Sequence, residues 1–193
     1  MSKRASRRLL AGVTLATTVV GSLFTTGVAV AAPVDGSVDR SAAAMAGRIA
    51  ATQTNPVWGL DRIDQRDRPR SRTYTHGSAK NVTIYVLDSG VRLSHDEFGG
   101  RASSGRDFIH PKADDCNGHG THVAATAAGR TYGVAKDAKV VSVRVLDCDG
   151  ESQGRSIIDG IEWVTENAVK PAVAVMSIQS EGHSAAIDRA LTR

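Results

Sequence analysis

Val82-Thr83-Ile84-Tyr85-Val86-Leu87-Asp88 is a nearly continuous apolar run, rich in β-branched residues and closed by a carboxylate. A strand with one wet face alternates apolar and polar residues, whereas a strand covered on both faces need not. The run therefore predicts a buried parallel strand. Downstream, His119 to Ala128 is an Ala-rich helical pattern closed by Gly129, and Val140 to Leu146 (VVSVRVL) is a second strand of the same kind. Ile157, Ile158, Ile161, Val164 and Ala168 then share one helix face, with Asp159, Glu162 and Glu166 opposite. Ala172 to Ile178 (AVAVMSI) is a third strand, and Ser184 to Thr192 a further helix. Strands alternating with helices predict right-handed crossovers and an open, doubly wound parallel α/β sheet with helices on both faces. The working site of such a sheet lies at the carboxyl ends of its strands, where Asp88 and Ser177 fall.

The 193 residues have room for one domain of ordinary size, and 41% hydrophobic residues with 19 Gly suit a globular α/β protein. The net charge of +4 has a local origin. Residues 1–31 hold Lys3, Arg4, Arg7 and Arg8 and no acid, which leaves twenty basic against twenty acidic residues in 32–193. No nucleic-acid partner is expected of so balanced a remainder. The basic start, the apolar stretch from Leu9 to Val30 and the small-residue site Ala29-Val30-Ala31 read as an export signal over 1–31, cleaved after Ala31. An uncleaved anchor is the competing reading, but Gly12, Gly21, Gly27 and several threonines dilute the stretch. Secretion without stable membrane association is expected. Residues 32–50 read as a linker or the stub of a pro-segment, and 51–193 as the ordered domain. Cys116 and Cys148 permit a single intramolecular pairing, and in an exported chain a disulfide is the default.

Two motifs carry chemistry. Tyr85-Val86-Leu87-Asp88-Ser89-Gly90 sets a carboxylate at a strand end before a tight turn, which alone describes many turn formers. Asn117-Gly118-His119-Gly120-Thr121-His122-Val123-Ala124 opens a helix with an imidazole between glycines that allow close backbone approach. Together these motifs resemble the subtilisin family of serine proteases, on the side of its proteinase K and aqualysin branch. Trp58-Gly59-Leu60-Asp61-Arg62-Ile63-Asp64-Gln65, Tyr132-Gly133-Val134-Ala135-Lys136 and Val143-Arg144-Val145-Leu146-Asp147 extend the likeness from about Ala51 to the carboxyl terminus. The resemblance implies a subtilisin-type fold, present here in part, and a secreted monomeric endopeptidase acting on protein or peptide substrates. It implies that Asp88 orients His119, the general base and then general acid of an Asp-His-Ser triad. It also implies the Cys116–Cys148 pairing, as aqualysin-type relatives have it.

The nucleophile is the departure. The family's Gly-Thr-Ser-Met-Ala segment does not occur in the sequence, so the expectation is a truncated chain, a fragment of a protease without its serine. Gly182-His183-Ser184-Ala185-Ala186 imitates a nucleophile elbow, but Ser184 reads more naturally as a helix N-cap. Gly150, Ser177, Ile178 and Gln179 fall where relatives line the substrate groove. Ser177-Ile178-Gln179-Ser180 replaces the usual Ser-Leu-Gly-Gly there, and Gly150-Glu151-Ser152 the usual Gly-Ser-Gly. Ala125 stands where a Gly is usual. These changes motivate a second reading, a catalytically inactive homologue that binds peptides. A third, a metal-dependent hydrolase using Asp88, His119 and His122, lacks a recognised ligand spacing. No cofactor is expected for catalysis. Asp61, Asp64 and Gln65 are oxygen donors where some relatives bind structural calcium, although Arg66, Arg68, Arg70 and Arg72 crowd the same segment and oppose a cation.

Overall fold

The computed structural model describes residues 51–109, 114–152, 154–179 and 184–192. The export signal and the 32–50 segment lie outside these residues. A four-stranded, wholly parallel sheet runs in the order β4-β5-β3-β6, built from β3 (Thr83–Asp88), β4 (Ala102–Asp107), β5 (Lys139–Arg144) and β6 (Ala172–Val175). Four helices accompany it: α1 (Trp58–Ile63), α2 (His119–Ala128), α3 (Ser156–Asn167) and α4 (Ala185–Leu191). Ahead of the sheet, β1 (Ala51–Thr54) and β2 (Thr73–His76) form a separate antiparallel pair.

Every residue of β3 is buried, as its unbroken apolar run requires. Its side chains divide by parity. Ile84 and Val86 pack with Ala124 and Ala128 of α2 on one face, while Tyr85 and Leu87 pack with Ile161 and Val164 of α3 and Ala190 of α4 on the other. The helices thus cover both faces, as the doubly wound pattern predicts. Val86 and Leu87 are fully buried, each contributing about 1.5–3 kcal/mol of transfer free energy. Gly160 lets α3 approach the sheet, because a Cβ there would come within 2.5 Å of Val145 Cγ1.

The strands are displaced from their sequence-predicted limits. The first includes Asp88 as its last paired residue, opposite Arg144. The second ends at Arg144 because the chain then turns inward, with the Val145 and Leu146 amides both donating to the Asp88 carbonyl. The third stops at Val175, its last position paired with β3, and residues 176–179 continue without a partner strand. Strand β4 (ASSGRD) has no apolar pattern. It owes its existence to pairing with β5, with a bulge between Ser104 and Arg106, and to Gly105, where a Cβ would lie 2.6 Å from Val141 Cγ1. Among the described residues no helix is long and apolar enough to cross a membrane.

Candidate active site

Because the sheet is parallel, the carboxyl end of β3 and the chain leaving β6 open on the same edge, where α2 begins. Asp88 is fully buried there, and its Oδ1 lies 2.8 Å from Nδ1 of His119, whose side chain remains 45% exposed. The same Oδ1 accepts the Ser89 amide at 2.7 Å. A buried carboxylate accepting from an imidazole Nδ1–H fixes the ring's tautomer and orientation, leaving Nε2 to act as a base toward the solvent side.

What brings the two together is the junction between the β3 turn and the start of α2. Gly120 is the pivot, since a Cβ there would lie 2.1 Å from the Gly90 carbonyl oxygen and 3.0 Å from Asp88 Cβ. Gly90 itself has φ +110, and a Cβ on it would press on the Asp114 carbonyl at 3.0 Å. Gly118, at the N-cap of α2, provides no side chain to satisfy the first helical amides. Asp115 supplies the acceptors instead. Its Oδ1 takes the Gly118 and Asn117 amides and the Ser89 hydroxyl, and its Oδ2 takes the amide and hydroxyl of Thr121. Burial pushes the Asp115 carboxyl up, but the hydrogen bonds from Thr121, Gly118 and Ser89 outweigh it and hold the group below the usual carboxylate range. Ser89 Oγ also accepts the Gly120 amide at 3.0 Å, so one carboxylate ties the turn after Asp88 to the helix that carries His119. Sequence reasoning passed over Asp115. The available signal was an Asp shortly before a helix whose N-cap is glycine.

The expected disulfide is present, joining Cys116 to Cys148 with Cα atoms 5.1 Å apart. It fastens the segment before α2 to the turn after β5. Asn117 reinforces this link, donating from Nδ2 to the Cys148 carbonyl at 2.9 Å and accepting the His119 amide on Oδ1. Arg144 lies nearby, its Nη2 3.1 Å from Cys116 Sγ and its Nη1 3.7 Å from the Asp107 carboxylate.

A cavity of about 880 Å³ opens beside His119. The structure brings Gly150, Ser177, Ile178 and Gln179 into its lining together with His119, Leu146, Ile157 and Ile187. Ser180 lies outside the described residues, as do Gly182 and His183. Ser184 also borders the cavity, but its Oγ accepts the Ile187 amide and caps α4, as its N-cap reading predicts. Ala125, partly buried, packs its methyl group against the α2 face of the core.

Asp61, Asp64 and Gln65, the oxygen donors considered for calcium, each hydrogen-bond within the α1–β2 region. Asp61 Oδ1 accepts the Ser71 hydroxyl and the Arg72 amide, and Asp64 Oδ2 accepts the Thr75 amide. Gln65 turns its amide nitrogen to the Asp67 and Pro69 carbonyls and accepts the Ser71 amide on its oxygen. These bonds fold the 65–75 segment, and no role is derived through calcium. Among the described residues no three His, Cys, Asp or Glu side chains gather in a metal-binding group, and Asp88, His119 and His122 make none.

Comparison with known proteins places this geometry in context. The subtilase family profile, Peptidase S8, matches residues 79–192. The extracellular serine proteinase of Thermus sp. (strain Rt41A) is 52% identical over 147 residues, which cover 75% of this chain and 36% of that protein. Alkaline serine exoprotease A of Vibrio alginolyticus is 51% identical over 144 residues, 73% of this chain and 27% of that protein. The crystal structure of a cold adapted subtilisin-like serine proteinase superimposes with a TM-score of 0.68 at 50% identity, over 72% of this chain and 52% of that one. The chain spans well under half the length of these curated relatives.

Proposed function

This chain belongs to the subtilase family, and we propose that it carries the acid–base half of a secreted serine endopeptidase, with Asp88 and His119 as two members of an Asp-His-Ser triad. The observation that carries the reading is the 2.8 Å contact between buried Asp88 and half-exposed His119 beside a cavity. In the reaction, Nε2 of His119 takes the proton of a serine hydroxyl as its oxygen attacks the peptide carbonyl. The imidazolium, stabilised by Asp88, then returns that proton to the leaving amine as the carbon–nitrogen bond breaks. Among the described residues no side-chain oxygen hydrogen-bonds Nε2 of His119.

The cavity beside His119 serves as the substrate groove. Gly150 and the unpaired backbone of Ser177 to Gln179 flank it, a disposition suited to an extended peptide added as a strand. Protein substrates and an extracellular setting follow from the family reading and from the kind of enzymes its relatives are. A second reading, peptide binding without hydrolysis, is favoured by Gln179 and Glu151, whose side chains border the groove where relatives have small residues. A chimera separates the two readings. Residues 51–192 joined to the matching remainder of the Thermus proteinase should hydrolyse casein, and His119→Ala should abolish the activity. A folded chimera without activity would leave the peptide-binding reading.

A further inference from the structure

The residues around α1 hold a cleft that the acid–base pair does not use. Gln53 Nε2 donates to the Thr131 carbonyl and the Tyr74 hydroxyl to the Val134 carbonyl, which docks the β1–α1–β2 unit beyond the C-terminal end of α2. His119 opens the other end, so the ten residues of α2, about 15 Å of helix, separate the two places. The cleft encloses about 1110 Å³, and four arginines, Arg62, Arg68, Arg70 and Arg72, line it against a single carboxylate, Asp61. Asp61 is buried and engaged with Ser71 and Arg72. Arg62 donates to the Gln65 carbonyl and Arg72 to Asn55 Oδ1, while among the described residues the guanidinium groups of Arg68 and Arg70 have neither a hydrogen bond nor an ion pair.

Four like charges in one cleft repel, and among the described residues no carboxylate forms an ion pair with Arg68 or Arg70. Beside them Trp58 leaves 73% of its surface exposed. An indole is rarely left uncovered without a partner, and it offers a flat apolar face next to the cationic forks. Arginine forks match carboxylates in bidentate geometry. The basic patch is short, because Asp64 and Asp67 interrupt the same segment, so a long, evenly charged polymer would gain few contacts on it. Trp58, Pro56 and Pro69 together give the lining an apolar part that a polypeptide's side chains can use.

We propose that this cleft is a docking site for carboxylate-rich polypeptide segments, separate from the Asp88–His119 pair. It makes the chain selective for acidic proteins through a surface that does no chemistry, and it does not depend on the chain being a peptidase.

Fluorescence anisotropy on the purified chain tests it, with fluorescein-labelled oligoglutamate as probe and oligoglutamine of the same length as reference. Oligoglutamate should bind at least about tenfold more tightly than oligoglutamine, and Arg68→Gln with Arg70→Gln should weaken it by about tenfold or more. Lys80→Gln with Lys139→Gln, which removes the same charge from exposed positions elsewhere, should leave the affinity within about twofold. Arg68 and Arg70 are exposed, so an unchanged melting temperature shows that the double variant is folded. Equal weakening by the lysine pair would reduce the effect to net charge and overturn the proposal. So would equal binding of the two probes, or tighter binding of a sulfated oligosaccharide of matched charge.

Discussion

Replacing Gly120 by alanine sets two effects of opposite sign against each other. In an open helix the change stabilises by up to about 1 kcal/mol, because alanine has the better helix propensity. Here the new methyl would sit 2.1 Å from the Gly90 carbonyl oxygen and 3.0 Å from Asp88 Cβ, more than an ångström inside ordinary contact with the first. Neither neighbour can retreat freely. Asp88 is fully buried and paired with β5, and Gly90, at φ +110, is itself close to the Asp114 backbone. Overpacking of this kind costs about 1–3 kcal/mol, so the clash wins. Thermal unfolding of Gly120→Ala should show a melting temperature lowered by about 3–10 °C for a chain of this size. Relief of the clash must also move the start of α2 away from β3, lengthening the Asp88–His119 contact, which the His119 imidazole resonances would report. A melting temperature equal to or above that of the unsubstituted chain would refute the close approach on which the site geometry rests.

Replacing Cys116 and Cys148 together by serine should cost about 3–4 kcal/mol, from the 32-residue separation and the chain entropy the cross-link removes; equilibrium denaturation checks it. Asp115 has a folded-state pKa below its unfolded value, so its contribution is complete above the ordinary carboxylate range and is lost as pH falls through the depressed folded value. Wild type should therefore lose stability on acidification below about pH 4 more steeply than Asp115→Asn, a difference that melting curves across pH would reveal. A fluorophosphonate probe should label neither Ser177 nor Ser184 in the purified chain, since Ser184 is committed to capping α4; peptide mapping by mass spectrometry would show a modified serine if one formed.

The elements legible in the sequence are those whose own residues dictate them. The unbroken β-branched run of β3 and the spaced apolar face of α3 each state their environment locally. Strand β4 does not, because its small polar residues are strand only by virtue of β5 beside them. The pair β1 and β2 escaped for the same reason: ATQT and TYTH are short, have no sustained apolar run, and are joined by cross-strand pairing from Thr54–Thr73 to Ala51–His76. At the candidate site, the pairing of Asp88 with His119 was legible because their two motifs occur together. Asp115 was passed over, since an aspartate shortly before a glycine-capped helix marks an acceptor there but not the five donors that converge on it. At Asp61, Asp64 and Gln65 the sequence shows the oxygen atoms but not their partners, which are amides and a hydroxyl of residues 71–75.

The central claim is that Asp88 and His119 act as one unit on a serine hydroxyl. Casein hydrolysis by the chimera of residues 51–192 with the remainder of the Thermus proteinase tests it most directly, with kcat measured for Asp88→Asn, His119→Ala and the two combined. In subtilisin, the family's reference case, loss of the Asp alone costs about 3 × 10⁴ in kcat and loss of the His about 2 × 10⁶, with the combined loss no greater than that of the His. The account predicts the same order and the same failure to add. Additive losses, or an active His119→Ala chimera, would contradict it.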